Sequence, residues 1–596
     1  MCGINGFNFQ DKELLNKMTK ITDTRGPDFT GYSILPEYSI SHNRLAIVDT
    51  NSRANQPFCF ENLIISFNGE IYNHLDLKKL LEQKGHTFKT TSDTEVIIKL
   101  FKEYGAESFK KLSGIFAISI YDKLKKKLYL IRDVLGVKPL YYYFNENEKK
   151  FYFSSLIKPL LLSVSQKNLN LEAIQSYSNF NRNDLTETYF KGIFKILPGE
   201  LITFENKTVK KNKFLKFNFK EGNISDLKNQ ITSTFSNQFI SDVPVALSLS
   251  GGIDSNLIFS QLLKNKNNNF NTYSVFFEGS KKFSKDFEIA KLTAKENNIN
   301  FNPIGIKPLD FIETADKIVD IVEEPVGNTN SIANYILSKN VEEKVLFSGD
   351  GGDEVFTGYD RYKSIYKINL LNSINPLKKF NFKFKNKNIN RFFLKNSKEL
   401  FLSFGEQNLF KNQKKIYKNF RLFNTHDLND TLNHSVSLND NCKLSSVMFH
   451  DLDTWVQNDV LLRNDKIYAN SSVELRVPFL DQNIIENYLM ADDHLKYGPF
   501  MKYKHLLQKT FKNELKVSKN ISLTKLGFNT PFSSLLRNEL YNFAKEILSK
   551  DYYDSSDILD LSECNKHLEK HQNTYHDPYQ IWNVINLQIF LRKHNF

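Results

Sequence analysis

The segment VPVALSLSGGIDSNLIFSQLLKNK, Val243–Lys266, constrains the fold more than any other stretch of the chain. An apolar run is followed by paired glycines and then by apolar residues at helical spacing, the pattern of a buried strand handing over to a helix. A strand buried on both faces needs parallel neighbours and covering helices, so this half is predicted to be α/β. TYSVFF (Thr272–Phe277) and EKVLFSGDGGDEVFTGY (Glu343–Tyr359) supply further strands with turns behind them. In an open parallel sheet such turns gather at the carboxyl edge, where ligands bind.

The first two hundred residues read differently. YSISHNRLAIVDT, LIISFNGEIYN, KKLYLIRDVLGVKPLYYYF and KKFYFSSLIKPLL are short β-rich runs punctuated by Gly, Asn and Pro, with a helix expected at Asp93–Tyr104. That mixture predicts an α+β domain built on antiparallel sheets. The texture changes after ILPGELITFENKTVKKNKFLKFNFKEGN, so the expected division is 1–215 and 216–596.

Several function classes are excluded by composition. A hydrophobic fraction of 40% with 51 Phe and 27 Tyr is ample for packed cores in 596 residues. Cys2, Cys59, Cys442 and Cys564 are scattered without CxxC spacing, which argues against a disulfide framework or structural zinc and for a reducing compartment. There is no cationic leader followed by an apolar run, and no stretch of about 18 apolar residues, so a cytoplasmic protein is expected. The net charge of +13 is spread along the chain, densest at Lys378–Lys395, KKFNFKFKNKNINRFFLK. No nucleic-acid motif accompanies it, so it reads as solvated surface, with neither nucleic acid nor membrane as partner.

SLSGGIDS sets Ser250, Gly251, Gly252, Asp254 and Ser255 at a strand-to-helix turn. Glycines admit a ligand close to the backbone, and a helix N-terminus offers unpaired N–H groups, so pyrophosphate would bind there. The chain lacks GxxxxGK[ST] at this point, which argues against an ordinary phosphoryl-transfer loop. Asp254, with Asp350 and Asp353 from SGDGGDEVF, could hold Mg²⁺ on ATP, since that ion prefers carboxylates plus phosphate oxygens.

SDVPVALSLSGGIDS, VLFSGDGGDEVFTGYDRY, LLRNDKIYANSSVELRVPFLD and LTKLGFNTPF resemble the synthetase domain of glutamine-hydrolysing asparagine synthetases. The N-terminal half resembles their class II glutaminase domain, and the likeness runs through the terminal IWNVINLQIFLRKHNF. The resemblance implies an Ntn-hydrolase-type glutaminase domain followed by a PP-loop ATP pyrophosphatase. On it, Ser250, Gly251, Gly252, Ile253, Asp254 and Ser255 would hold pyrophosphate, and Asp254 and Asp353 the metal. Leu249, Val275, Ser348 and Gly349 would hold the adenosine part. Lys466 would neutralise charge on the leaving phosphates, and Asp350 would take a proton from the attacking ammonia.

For the glutaminase, the resemblance implies that Met1 is removed and that Cys2 acts as nucleophile with its own freed α-amine as base. Arg44, in the Arg44, Leu45, Ala46, Ile47, Val48 segment, would clamp the glutamine carboxylate by a bidentate fork. Asn68 and Gly69 would form the oxyanion hole, and Glu70 and Asp93 would hold the α-ammonium group. The expected partners are glutamine, ATP and aspartate or another carboxylate, with a homodimer left open.

Four positions depart from the family pattern. Thr24 replaces the histidine of HRGPD, and Leu156 the acid of SEIK. Asn328 and Thr329 lie where branches of the family carry Asp and Arg respectively, near the acyl substrate. Two alternatives to asparagine synthesis therefore stand at this point: the same chemistry on another carboxylate, such as a sugar acid of a surface polysaccharide, or a silent scaffold. The intact Cys2, Asn68, Asp254, Asp353 and Lys466 argue against the scaffold.

Overall fold

A computed structural model describes residues 1–219, 224, 226–265, 270–279, 284–374, 416–417, 444–518, 521–522, 530–574 and 578–596. The basic stretch 378–395, Cys442, most of the 363–450 segment and most of LTKLGFNTPF lie outside the described residues.

The N-terminal half forms two six-stranded antiparallel sheets. Its strands are β1 (Gly3–Phe7), β2 (Phe29–Leu35), β3 (Tyr38–Arg44), β4 (Phe58–Phe60), β5 (Leu63–Ile71) and β6 (Gly114–Asp122). They continue with β7 (Lys127–Arg132), β8 (Tyr141–Asn145), β9 (Lys150–Ser154), β10 (Ile193–Lys195), β11 (Glu200–Glu205) and β12 (Thr208–Lys213). One sheet runs β10-β8-β9-β1-β3-β2 and the other β12-β11-β7-β6-β5-β4.

β6 shows why both sheets are buried twice over. Phe116, Ile118 and Ile120 pack with Val96, Ile97 and Phe101 of the helix Asp93–Tyr104, while the alternate residues Ala117 and Tyr121 pack with Ile40 and Phe153 of the sister sheet. Successive side chains point to opposite faces, so a strand covered by a helix layer and a sheet layer is apolar throughout. The far face of the first sheet is covered in turn by Leu15 and Met18 of the helix Lys12–Ile21. The result is a sandwich of two sheets between helical layers.

The second half is organised on a five-stranded sheet, β15-β14-β13-β16-β17, all parallel. The strands are β13 (Val245–Ser248), β14 (Phe270–Phe277), β15 (Phe301–Ile306), β16 (Val345–Phe347) and β17 (Glu474–Arg476). β13 pairs directly with β16, Leu247 opposite Phe347. That pairing sets the SGGIDS turn beside the SGDGGD turn at one sheet edge. β15 contains Pro303, which the strand tolerates because it is an edge strand and can spare a ladder N–H.

A continuous helical run crosses the mouth of this edge: Leu444–Asp451, a π-helical stretch Leu452–Leu461, then Leu462–Ala469. π-helical turns are rare and concentrate at functional sites. One apolar cluster spans both halves, joining Met1, Leu45, Ile47, Tyr72 and Val137 to Leu249 and Ile253 beside the SGGIDS turn. No helix among the described residues is long and apolar enough to cross a membrane.

Candidate active sites

Cys2 immediately precedes β1, the strand that opens the sandwich, and is buried. Its backbone N–H donates to Asn68 Oδ1 at 2.8 Å, and its carbonyl accepts from Arg25 Nε at 2.9 Å. Sγ is 4.0 Å from the Leu45 carbonyl. With Oδ1 pinned by Cys2, Asn68 Nδ2 is buried without a hydrogen-bond partner, a donor ready for an oxygen that bears developing charge. Gly69 has φ +143°, and a Cβ there would lie 1.9 Å from the Ile115 carbonyl, so only glycine fits beside Asn68.

Burial shapes the titration of this site. It pushes the Cys2 thiol up from its usual value and lowers the Met1 amine to about 6. Burial likewise raises Glu70, reinforced by Glu474 against the opposing Arg476, and it raises Asp93 as well. Negative charge on these two carboxyls is costly at this depth, and an ammonium group arriving beside Asp93 and the Arg476-paired Glu70 would offset it.

The remaining residues of the predicted glutamine pocket divide. Arg44 does not present an open fork: its terminal nitrogens donate to the carbonyls of Asn51 (2.9 Å), Val48 (3.3 Å) and Asp49 and to Asn55 Oδ1 (2.8 Å), bracing the loop after β3. The Ala46 N–H donates to Asp28 Oδ2 at 2.7 Å, and the Ile47 carbonyl accepts from Asp242 of the second half at 3.0 Å. Glu70 faces Arg476 Nη2 at 3.3 Å, so a residue of β17 reaches the glutamine side of the molecule. Asp93 accepts from the Ile71 N–H at 3.0 Å.

The second site is a cleft of about 480 Å³ at the carboxyl edge of the parallel sheet. Leu249, Ser250, Gly252, Ile253, Asp254, Ser255, Val275, Ser348, Gly349, Asp350 and Asp353 all line it. Gly251 is set back, its N–H donating to Asp286 Oδ1 at 2.8 Å. Ser250 and Ser255 join through their hydroxyls at 2.9 Å, and Asn256 Nδ2 ties the carbonyls of Ser250 (2.8 Å) and Gly252 (2.7 Å). The loop is thus held open by its own polar groups.

Asp254 and Asp353 converge on one cation. Lys504 Nζ pairs with Asp254 Oδ2 and lies 2.5 Å from Asp353 Oδ1. Burial works against the ammonium, yet the two carboxylates outweigh it and hold its pKa well above the ordinary lysine value. Glycine is required at both flanks: a Cβ on Gly352 would meet Asp254 Cγ at 2.4 Å, and one on Gly358 would meet Asp353 Oδ1 at 1.7 Å. Two oxygen ligands brought to a single positive charge fit a divalent ion that completes its shell with phosphate oxygens and water. No cluster of three or more such ligands exists among the described residues. Asp350 is raised by burial and accepts from Asn464 Nδ2 at 3.1 Å.

Lys466, expected at the leaving phosphates, stands elsewhere in this structure. It does not line the cleft. Its side chain is fully buried, donating to Glu323 Oε2 at 2.8 Å and the Val322 carbonyl at 2.7 Å, over the Tyr141 ring. Among the described residues the cations of the cleft are Arg463 and Lys504. Arg463 is itself paired with Asp459 Oδ1 at 3.1 Å.

The departures from the family pattern also find places. Thr24 and Leu156 line the same cavity of about 80 Å³ between the halves, with Arg25, Glu323 and Lys466. They are therefore linked in space, and both lie on the junction. Asn328 lines the cleft, whereas Thr329 is buried and does not. Sequence reasoning missed Asp286, Asn256, Lys504, Asn464 and Arg25. Asn256, Asn464 and Arg25 carried a signal, as neighbours of motif residues in SGGIDS, RNDK and TRGPD.

Residues 1–215 match the family model described as a glutamine amidotransferase domain, and residues 226–592 match the one described as asparagine synthase. The chain belongs to the asparagine synthase family. Asparagine synthetase [glutamine-hydrolyzing] 1 of Bacillus subtilis (strain 168) is 30% identical over 628 residues, covering 99% of this chain and 97% of that protein. A putative asparagine synthetase [glutamine-hydrolyzing] 2 of Methanocaldococcus jannaschii is 32% identical over 417 residues, 63% of this chain and 78% of that one. A third relative, asparagine synthetase [glutamine-hydrolyzing] 3 of Bacillus subtilis, is 25% identical over 82% of this chain and 80% of its own length. This family member is an ATP-dependent, glutamine-hydrolysing carbon–nitrogen ligase, with an Ntn-type glutaminase half and a parallel-sheet synthetase half.

Proposed function

We propose that the enzyme makes asparagine. Glutamine is hydrolysed at Cys2 after Met1 is removed: the new α-amine takes the thiol proton as the thiolate attacks the amide carbon, that proton leaves on the departing ammonia as the C–N bond breaks, and water cleaves the glutamyl thioester to glutamate. Asn68 Nδ2 and the Gly69 N–H stabilise the resulting oxyanion, and Glu70 and Asp93 hold the substrate ammonium. Because the Arg44 fork is engaged by its own loop, it contributes by shaping the pocket wall.

Ammonia then crosses the apolar cluster between the halves to the cleft. There the β-carboxylate of aspartate attacks the α-phosphate of ATP, forming the acyl adenylate and releasing pyrophosphate. Asp254 and Asp353 would hold Mg²⁺, which would neutralise charge on the phosphates, while the SGGIDS backbone and serines cradle the leaving pyrophosphate. Asp350, its pKa raised by burial, accepts a proton as nitrogen attacks the acyl carbon, and AMP leaves. The division of labour falls near residue 215, in a protein of the cytoplasm.

One observation carries the reading: a buried Asn68 Nδ2 without a hydrogen-bond partner beside Cys2, in the same chain as two carboxylates converging on one cation beside SGGIDS. The test is pyrophosphate release with ATP and glutamine, with and without aspartate. Stimulation by aspartate is expected, and its absence refutes the acceptor. Cys2→Ala should lose glutamine-driven synthesis yet keep synthesis from ammonium, while Asp254→Ala should lose both.

A further inference from the structure

Asp465 belongs to the synthetase half, on the helix Leu462–Ala469, and its side chain leaves that half altogether. Oδ2 accepts from Arg25 Nη2 at 2.8 Å, an ion pair buried on both sides. The same guanidinium donates through Nε to the Cys2 carbonyl at 2.9 Å. Arg25 is 1% exposed and Asp465 3%. Lys138 Nζ stands 3.6 Å from the other Asp465 oxygen.

We propose that Asp465 is a positioning residue for the Cys2 nucleophile, contributed across the domain boundary. The inference rests on Cys2 being that nucleophile. The main chain of Cys2 has two polar tethers, Asn68 on its nitrogen and Arg25 on its carbonyl. Arg25 can aim Nε only if its plane is set, because the guanidinium fork is rigid and its donors turn together. Asp465 sets that plane by taking Nη2. It also balances two buried cations, Arg25 and Lys138, that would otherwise repel each other at close range. A glutaminase half folded without its neighbour would keep Cys2, Asn68 and Arg25 but lose the carboxylate that orients the last of them.

The adjacent residue ties the arrangement to the other site. Asn464 donates to Asp350 Oδ2 at 3.1 Å and accepts from Asn334 at 2.9 Å. One short helix therefore holds the candidate base of amide formation with one residue and steadies Cys2 with the next.

The experiment compares Asp465→Asn, Arg25→Lys, the double variant and Cys2→Ala in the full-length enzyme. Asp465→Asn should lower the glutaminase kcat by about 10- to 100-fold, the scale of a displaced reacting group, with a smaller change in KM for glutamine. The ratio of glutamine-driven to ammonium-driven synthesis should fall by the same factor, and alkylation of Cys2 by iodoacetamide should slow with a shifted pH profile. If Asp465 acts through Arg25, adding Asp465→Asn to Arg25→Lys brings little further loss. Glutaminase within twofold of wild type, multiplicative effects in the double variant, or equal loss of ammonium-driven synthesis each overturn the proposal. Should Asp465→Asn not fold, Asp465→Glu is read by the same ratio: a fall supports the proposal and an unchanged ratio overturns it. Glutaminase activity surviving in Cys2→Ala refutes the nucleophile itself, whereas a silent Cys2→Ala beside a normal Asp465→Asn refutes only the positioning role.

Discussion

Lys504→Met is the sharpest perturbation of the synthetase site, because one ammonium answers two carboxylates there. Two carboxylates that both reach one nitrogen lie within about 5 Å of each other, where like charges repel by about 3 kcal/mol at an effective dielectric constant near 20. The three side chains are only 8%, 15% and 23% exposed for Lys504, Asp254 and Asp353, so the pairing is mostly shielded from solvent. Removing one partner of such a buried arrangement costs about 3–5 kcal/mol. In a domain of this size that lowers the unfolding midpoint by about 3–6 °C. With the ammonium gone, Mg²⁺ can take its place beside the two carboxylates, and binding at a concentration 100 times Kd returns about 2.7 kcal/mol. The assay is thermal unfolding of the ATP-free protein across a Mg²⁺ titration. The variant should start less stable than wild type and rise with Mg²⁺, while wild type, already carrying an internal cation, responds weakly. A variant as stable as wild type, or one indifferent to Mg²⁺, would refute the assignment of Asp254 and Asp353 to the metal.

Gly69→Ala should disable glutamine-driven synthesis and cost about 2–4 kcal/mol, from backbone strain at a positive φ plus overlap with the Ile115 carbonyl; chemical denaturation and a glutaminase assay check both, and normal values in each contradict the close-approach argument. Protein that retains Met1 should gain stability as pH rises from about 6 to 8. Burial lowers the Met1 amine from 8.0 to about 6, so across that window the unfolded chain binds more protons than the folded one, and stability climbs by about 2–3 kcal/mol. Unfolding midpoints of Met1-retaining protein at pH 6 and pH 8 measure it, and a midpoint that falls over this range reverses the sign of the argument.

Much of the architecture was legible because periodicity survives context. The helix Asp93–Tyr104 and the strand-to-helix switch at SGGIDS stand where their apolar spacing sets them. β15 and β17 were not legible. FNPIGI breaks strand grammar with a proline and a glycine that only an edge position excuses, and ELR is a strand whose charges are buried. Arg476 Nε lies 2.8 Å from Glu474 Oε1, and that pairing lets the two side chains sit inside the protein. The cleft residues in the SGGIDS and SGDGGD turns were readable because each loop is contiguous in sequence. Lys504 and Asp286 were not, since tertiary packing of segments that carry no motif brings them to the loops, whereas Asn256 follows Ser255 on the helix the motif opens.

The position of Lys466 away from the cleft follows from helix geometry. Arg463, Asn464, Asp465 and Lys466 are consecutive, so each side chain is turned about 100° from the last, and neighbours one apart do not share a face. Arg463 lines the cleft, Asn464 reaches Asp350, Asp465 crosses to Arg25, and Lys466 turns inward to Glu323. A contiguous motif on a helix therefore cannot serve one ligand with every residue. All four are buried, and a helix buried on every side must satisfy each polar group with a different partner. For this helix those partners belong to the cleft, the glutaminase half and the junction between them. A contiguous RNDK motif is then what a helix spanning two active sites requires, and the structural lysine is part of that requirement: without the Lys466–Glu323 pair, the segment that carries Asn464 and Asp465 would lose its inward anchor.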